Sequence, residues 1–282
     1  MSIARELSIK AFALSDMGQK RKNNEDAVLI LPEVGLFCVA DGMGGGEDGE
    51  VASSTIVRAL QEETANFFGS KTMSVAWADG VLGVVQSAIK KASSLIYSHA
   101  QGKNLKCCGS TFVALCMNPY NPSKGYVLHA GDSRVYRIRD GEILQLTKDH
   151  SVADMMGVED EREINPLFRG MILRAVGVAP KVEIEKTSID IEPGDRFLLC
   201  SDGLTRMVSN ADILGLSKYS ATMEVAARAW IKAANDAGGE DNISVVVVDV
   251  ESPVPESQQV KGAFVSRRSK LLDCFLRFLH LR

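Results

Sequence analysis

The sequence predicts a layered α/β fold with largely antiparallel sheets. Short apolar runs of strand length dominate the chain, and two long stretches with helical periodicity stand together between groups of those runs. One hairpin signal shows that neighbouring runs fold back on each other.

The elements follow in order. Residues 27–31 (AVLIL) and 35–40 (GLFCVA) have the length and apolar content of core strands. Residues 50–68 read as one helix and 76–101 as a second, with a break or kink expected near Gly80 and Gly83. Strands are expected at 110–116 and 125–130. In "VYRIRDGEILQL", Asp140-Gly141 supplies the positive φ angles of a two-residue hairpin turn. Residues 151–177 are polar, carry Pro166 and lack a clean period, as an excursion over the surface would. A strand at 196–200, a helix at 223–236 and a strand at 243–250 complete the series.

The length of 282 residues, 45% of them apolar, is enough to bury a core without covalent staples. A net charge of −4 argues against nonspecific nucleic-acid binding. None of the six cysteines forms a CxxC pair, and several lie inside apolar runs, as reduced core thiols do; zinc held by cysteine is not expected. No apolar signal segment opens the chain, and no apolar run approaches the ~20 residues that span a bilayer, so a soluble cytoplasmic protein is expected. "ESPVPESQQ" reads as a linker over 251–260. Residues 261–282 carry six lysines and arginines against Asp273 alone, which leaves −9 on the residues before them. With apolar residues near helical spacing, this segment is expected to meet an anionic membrane surface or a partner's groove.

The candidate chemistry sits where apolar strands stop. "FCVADGMGGGEDGEVAS" runs from core residues straight into Asp41, then into glycines and three more acids, Glu47, Asp48 and Glu50. The same punctuation recurs at Asp202 ("FLLCSDGL") and Asp132 ("YVLHAGDSR"), and in mirror image at Asp241 ("GGEDNISVVVV") and Asp26 ("NNEDAVLIL"). An aspartate beside glycine is usually a turn; five at the mouths of five strands point to convergence. Clustered carboxylates repel and raise each other's pKa values, and a hard divalent cation relieves that with oxygen ligands. Gly42 allows close approach to a backbone carbonyl. The glycines formally match a dinucleotide loop, but Glu47 and Asp48 would face the pyrophosphate and no acid-ended strand follows at the required distance. Arg21 suits bidentate capture of a phosphate, or is part of a solvated Lys20-Arg21-Lys22 run. His129 and His150 read as hydrogen-bonded structural residues, and no Ser-His-Asp order or nucleophile elbow is present.

Seven segments, among them "SDMGQKRKNNEDA", "VADGMGGGEDGEVAS", "HAGDSRVYRIRDGEILQLTKDHS", "FLLCSDGLTRMV" and "GGEDNISVVVVDV", make the chain resemble the type 2C metal-dependent protein phosphatases over residues 8–250. The resemblance implies a four-layer sandwich, two central sheets between pairs of helices, with the metal site at one edge. It implies Asp41 as the ligand bridging two ions, Mn²⁺ or Mg²⁺, with Gly42 giving its carbonyl to one, and Asp202 and Asp241 as ligands of the other. Glu25 and Asp26 correspond to the acidic pair that orients metal-bound waters, and Arg21 to the phosphate-binding arginine. Asp132, with Asp202, corresponds to the pair holding a third, weaker ion in bacterial members, and residues 151–177 to a flap beside the cleft. The implied reaction is hydrolysis of phosphoserine and phosphothreonine by a metal-activated water, opposing a serine/threonine kinase. Met43 stands where many eukaryotic members carry a histidine proposed as general acid, and it donates no proton. The alternative is a non-catalytic pseudophosphatase that binds phosphoproteins.

Overall fold

The computed structural model describes residues 8–44, 48–68, 73–119, 123–158, 164–168 and 170–251. The basic segment at 261–282, and all but the first residue of the linker expected at 251–260, lie outside the described residues. In chain order, β1 (Ser8–Asp16), β2 (Asp26–Leu31) and β3 (Leu36–Met43) precede α1 (Gly49–Phe68) and α2 (Met73–Lys103). β4 (Gly109–Ser110), β5 (Phe112–Met117), β6 (Lys124–Ala130), β7 (Arg134–Arg139) and β8 (Glu142–Gln145) follow. The short α3 (Val152–Met155) and a 3₁₀ turn (Pro166–Phe168) lead to β9 (Glu185–Asp190) and β10 (Arg196–Cys200). Last come α4 (Asp202–Thr205), α5 (Asn210–Lys218), α6 (Met223–Asp236) and β11 (Ile243–Glu251).

Two antiparallel sheets result. One has the order β1-β11-β10-β7-β8; the other is β2-β3-β5-β6-β9, with β4 pairing the end of β3. Both central strand sets are covered on both faces, which is why they read as unbroken apolar runs. In β3, Phe37 and Val39 point into the space between the sheets, while Leu36, Cys38 and Ala40 pack towards α1 and α2. In β11, Val246 and Val248 meet the facing sheet, and Val245 and Val247 lie in the core beneath α6. The period of two thus sends alternate residues into two different cores.

The helices are built to cover these faces. Thr222 caps α6 by accepting from the Val225 N–H, and Ala226, Ala227, Trp230, Ile231 and Ala234 form its buried stripe. Trp230 Nε1 donates to the Ile213 carbonyl at 2.9 Å, so the ring is buried with its polar atom satisfied. α2 runs unbroken through Gly80 and Gly83, which corrects the expected break. A Cβ at position 80 would lie 2.4 Å from Cε1 of Phe67, so that glycine serves close helix packing. The β7–β8 hairpin turns as expected, with φ of 50° at Asp140 and 79° at Gly141. Among the described residues, no helix is long and apolar enough to cross a membrane.

Candidate metal centre

Antiparallel pairing gathers the five aspartates. β2 begins at Asp26 directly opposite Asp41 near the end of β3. β10 ends at Cys200 opposite Val245, so Asp202, just after β10, and Asp241, just before β11, share one end of the other sheet. Asp132 lies in the turn from β6 to β7, close enough to Asp202 and Asp149 for their charges to raise its pKa.

Each side chain is held by its backbone surroundings. Thr111 fixes Asp41 from both sides: its Oγ1 accepts from the Asp41 N–H at 3.0 Å and its N–H donates to the Asp41 carbonyl at 2.9 Å. The Gly42 N–H donates to the Glu25 carbonyl at 3.1 Å. A Cβ at position 42 would sit 2.1 Å from the Gly49 carbonyl oxygen, so only glycine fits this close approach. Ser201 donates to Asp26 Oδ2 at 2.8 Å and accepts from the Ser244 N–H. Asn242 donates to the carbonyls of Met17 and Asn23, both at 2.9 Å, and accepts from the Glu25 N–H at 2.8 Å. It therefore ties the segment bearing Arg21 and Glu25 to the start of β11. Arg21 Nη2 lies 2.7 Å from Asp241 Oδ2.

The electrostatics are those of a crowded anionic site. Burial, then the neighbouring Asp26, Asp202, Asp132 and Asp241, pushes Asp41 well above the usual carboxylate range. Burial raises Asp26 to about 7 against the pull of its serine hydrogen bonds. Asp132 also rises to about 7, through burial and then Asp202, and Asp202 and Glu25 rise chiefly through burial. Asp26 Oδ1, Asp132 Oδ1 and Asp202 Oδ1 are buried without any protein hydrogen-bond partner. A buried carboxylate oxygen left so is costly. Oxygen-only donors and several carboxylates fit a hard divalent cation.

The acids of the glycine loop divide. Asp48, at φ +70°, turns its carboxylate to His99 at 2.8 Å and Lys103 at 2.7 Å, so it anchors the loop to the end of α2. Glu50 accepts from Asn23, and Glu47 lies outside the described residues. The charge of Asp48 is thus already paired and does not serve a metal. Apart from the aspartates, His129, His150 and Glu185 form the one group of three among the described residues whose possible ligand atoms all lie within 4.8 Å of one another. There His129 Nε2 bonds the Lys148 carbonyl at 2.8 Å, and His150 Nδ1 accepts from the Gly131 N–H at 3.2 Å. Arg174 Nη1 stands 3.2 Å from His150 Nε2, a positive group where a cation would bind. The aspartates, three of which keep a buried oxygen without a partner, fit an ion better.

Sequence reading missed four residues at the site. Thr111, Ser201 and Asn242 hold the acids through hydrogen bonds to distant segments, which no local pattern reveals. Arg206 places Nη2 2.7 Å from Asp202 Oδ2 and 3.5 Å from Asp132 Oδ2. The signal for it was present: it follows Asp202 by four residues at the start of a helix.

Buried carboxylates that fit a divalent cation, with an arginine beside them, have the chemistry of a metal-dependent hydrolase of phosphate esters. The chain belongs to the protein phosphatase 2C family, whose description matches residues 18–237. It is 33% identical over 243 residues to the serine/threonine phosphatase stp of Listeria innocua, covering 83% of this chain and 93% of that protein. PppA of Pseudomonas aeruginosa, a regulatory component of its T6SS, superposes with a TM-score of 0.76 at 30% identity, over 86% of this chain and 99% of PppA. The catalytic domain of the serine/threonine phosphatase PstP, known from Mycobacterium tuberculosis and solved with two manganese ions, gives 0.73 at 34% identity, over 87% and 100%. The chain is thus a metal-dependent protein serine/threonine phosphatase.

Proposed function

We propose that this phosphatase works through two divalent cations, Mn²⁺ or Mg²⁺, at the aspartate cluster, and cleaves phosphoserine and phosphothreonine by direct attack of water. The buried carboxylate oxygens on Asp26 and Asp202 that lack protein partners carry this reading. Asp41, the Gly42 carbonyl, Asp202 and Asp241 would hold these ions. Bound there, such ions supply Lewis acidity to phosphoryl oxygens and lower the pKa of water.

The chain's own residues do the rest. Asp26 and Glu25 accept hydrogen bonds from water and so orient it towards phosphorus. Arg21 is about half exposed (47%), which leaves its fork free to turn from Asp241 to the oxygens of an incoming phosphate. Among the described residues at the aspartate cluster, no side chain offers itself as a covalent nucleophile. Ser201 is fully buried with its hydroxyl committed to Asp26, and burial holds the Cys116 and Cys200 thiols up at about 12. A phosphorylated enzyme intermediate is therefore not part of the scheme.

Hydrolysis of a phosphothreonine peptide with Mn²⁺, lost on chelation and restored by added metal, is the expected result. Undiminished turnover by Asp41→Asn at limiting Mn²⁺ would sink its assignment as a ligand. The substrates we infer are phosphorylated proteins, an opposing kinase among them. Residues 261–282, basic and amphipathic by sequence, are proposed to recruit the enzyme to an anionic membrane surface or to a partner. Liposome co-sedimentation that is unchanged after removal of residues 256–282 would refute the membrane form of that idea.

A further inference from the structure

Asp132 and Asp202 are the most enclosed acids of the site, 6% and 7% exposed. Each keeps one oxygen without a partner and turns the other towards the same nitrogen, Nη2 of Arg206. Arg206 is held there by its own short helix: it is the C-cap of α4, and its N–H donates to the Asp202 carbonyl at 2.9 Å. Backbone and side chain thus return to the same aspartate. On the far side, Gly170 lies against the guanidinium. A Cβ at that position would be 3.1 Å from Nη2 and 3.3 Å from Nη1, and its φ of +64° already favours glycine. The guanidinium is therefore seated between a pair of carboxylates and the backbone of the 151–177 excursion.

We propose that Arg206 is the resident cation of the Asp132–Asp202 pair and stands in for a third divalent ion, so that this chain works with two. The proposal rests on the two-ion reading above and adds to it. An arginine stays charged at every relevant pH, and its planar fork suits carboxylates. A divalent ion at the two remaining oxygens would have to bind beside that guanidinium, against like-charge repulsion. The role of Arg206 is positional: it neutralises Asp132, steadies Asp202 and links both to residue 170.

Counting bound Mn²⁺ per chain by equilibrium dialysis tests this without reference to turnover. The wild type is expected to saturate at two ions. Arg206→Gln should bind a third, roughly tenfold or more tighter than the wild type does, as loss of one adjacent positive charge implies. That third ion should vanish in Arg206→Gln/Asp132→Asn. Asp132→Asn alone should leave the count at two, which keeps the test open if the glutamine variant fails to fold. A wild type that binds three ions, or loses one on Asp132→Asn, overturns the proposal. So does a folded Arg206→Gln that stops at two. A chain that binds no Mn²⁺ in any form sinks the two-ion reading and this proposal with it, and that outcome is distinct from the others.

Discussion

Arg21 and Asp241 stand 2.7 Å apart across the mouth of the site, and each is assigned a separate task. If Asp241 is a direct ligand, Asp241→Asn should cost more than the roughly 10–100-fold that loss of an outer-shell partner typically costs. The fold should survive, because the variant removes one charge from an already repulsive cluster. Circular dichroism alongside a phosphatase assay at limiting Mn²⁺ checks both halves, and near wild-type turnover would refute the ligand assignment. Arg21→Ala separates two modes of phosphate binding. A charge-assisted hydrogen bond of about 1.5–3 kcal/mol made in the ground state should appear as a roughly 10- to 100-fold rise in KM with kcat little changed. A fall in kcat at constant KM would place the contact in the transition state instead. Kinetics identical to wild type would make Arg21 a surface charge only.

At the scale of elements, the decisive joint is between the β1–β2 connection and the start of β11. Asn242 makes three hydrogen bonds across it, to Met17, Asn23 and Glu25. Asn242→Ala leaves two carbonyls and one N–H without that partner, at a cost of about 1–3 kcal/mol. For a chain of this size each kcal/mol lowers Tm by about 2–4 °C. The same variant should raise KM, since Arg21 rides on the freed segment; an unchanged KM with lowered Tm would limit Asn242 to the fold. Such joints were not legible in the sequence. Strands buried on both faces announce themselves, as "LFCVA" and "ISVVVV" do, and their terminal aspartates mark the site. β1 ("SIKAFALSD") and β9 ("EKTSID") are edge strands with polar, partly exposed residues, so no apolar run flags them. Asn242 and Thr111 read as ordinary polar residues because their partners lie 70 to 225 positions away along the chain. Gly80 misled for the opposite reason: its local cost as a helix residue was visible, but Phe67 was not.

Across the whole molecule, the anionic centre works against the fold that builds it. Burial raises Asp26 and Asp132 to about 7 and moves Asp41, Asp202 and Glu25 upward from their ordinary values. In the unfolded chain aspartate titrates at about 3.9. Between about pH 4 and 7 the metal-free native state thus holds more protons than the unfolded state, and its stability falls as pH rises. The contribution is complete below the unfolded pKa and is lost through the folded one. Ligands must shed those protons to bind metal, so affinity for a divalent ion moves the other way, increasing with pH. We predict that Tm measured with chelator falls between pH 6 and pH 8. With Mn²⁺ at about 100 times its Kd, the fold should gain about 2.7 kcal/mol, and at fixed total metal the gain should be larger at pH 8 than at pH 6. Asp132→Asn should flatten the chelator slope by removing one of the two groups that titrate near 7. A chelated Tm that stays level or climbs from pH 6 to pH 8 would mean that these carboxylates are already ionised in the native state at pH 6, and would refute their upward shift by burial.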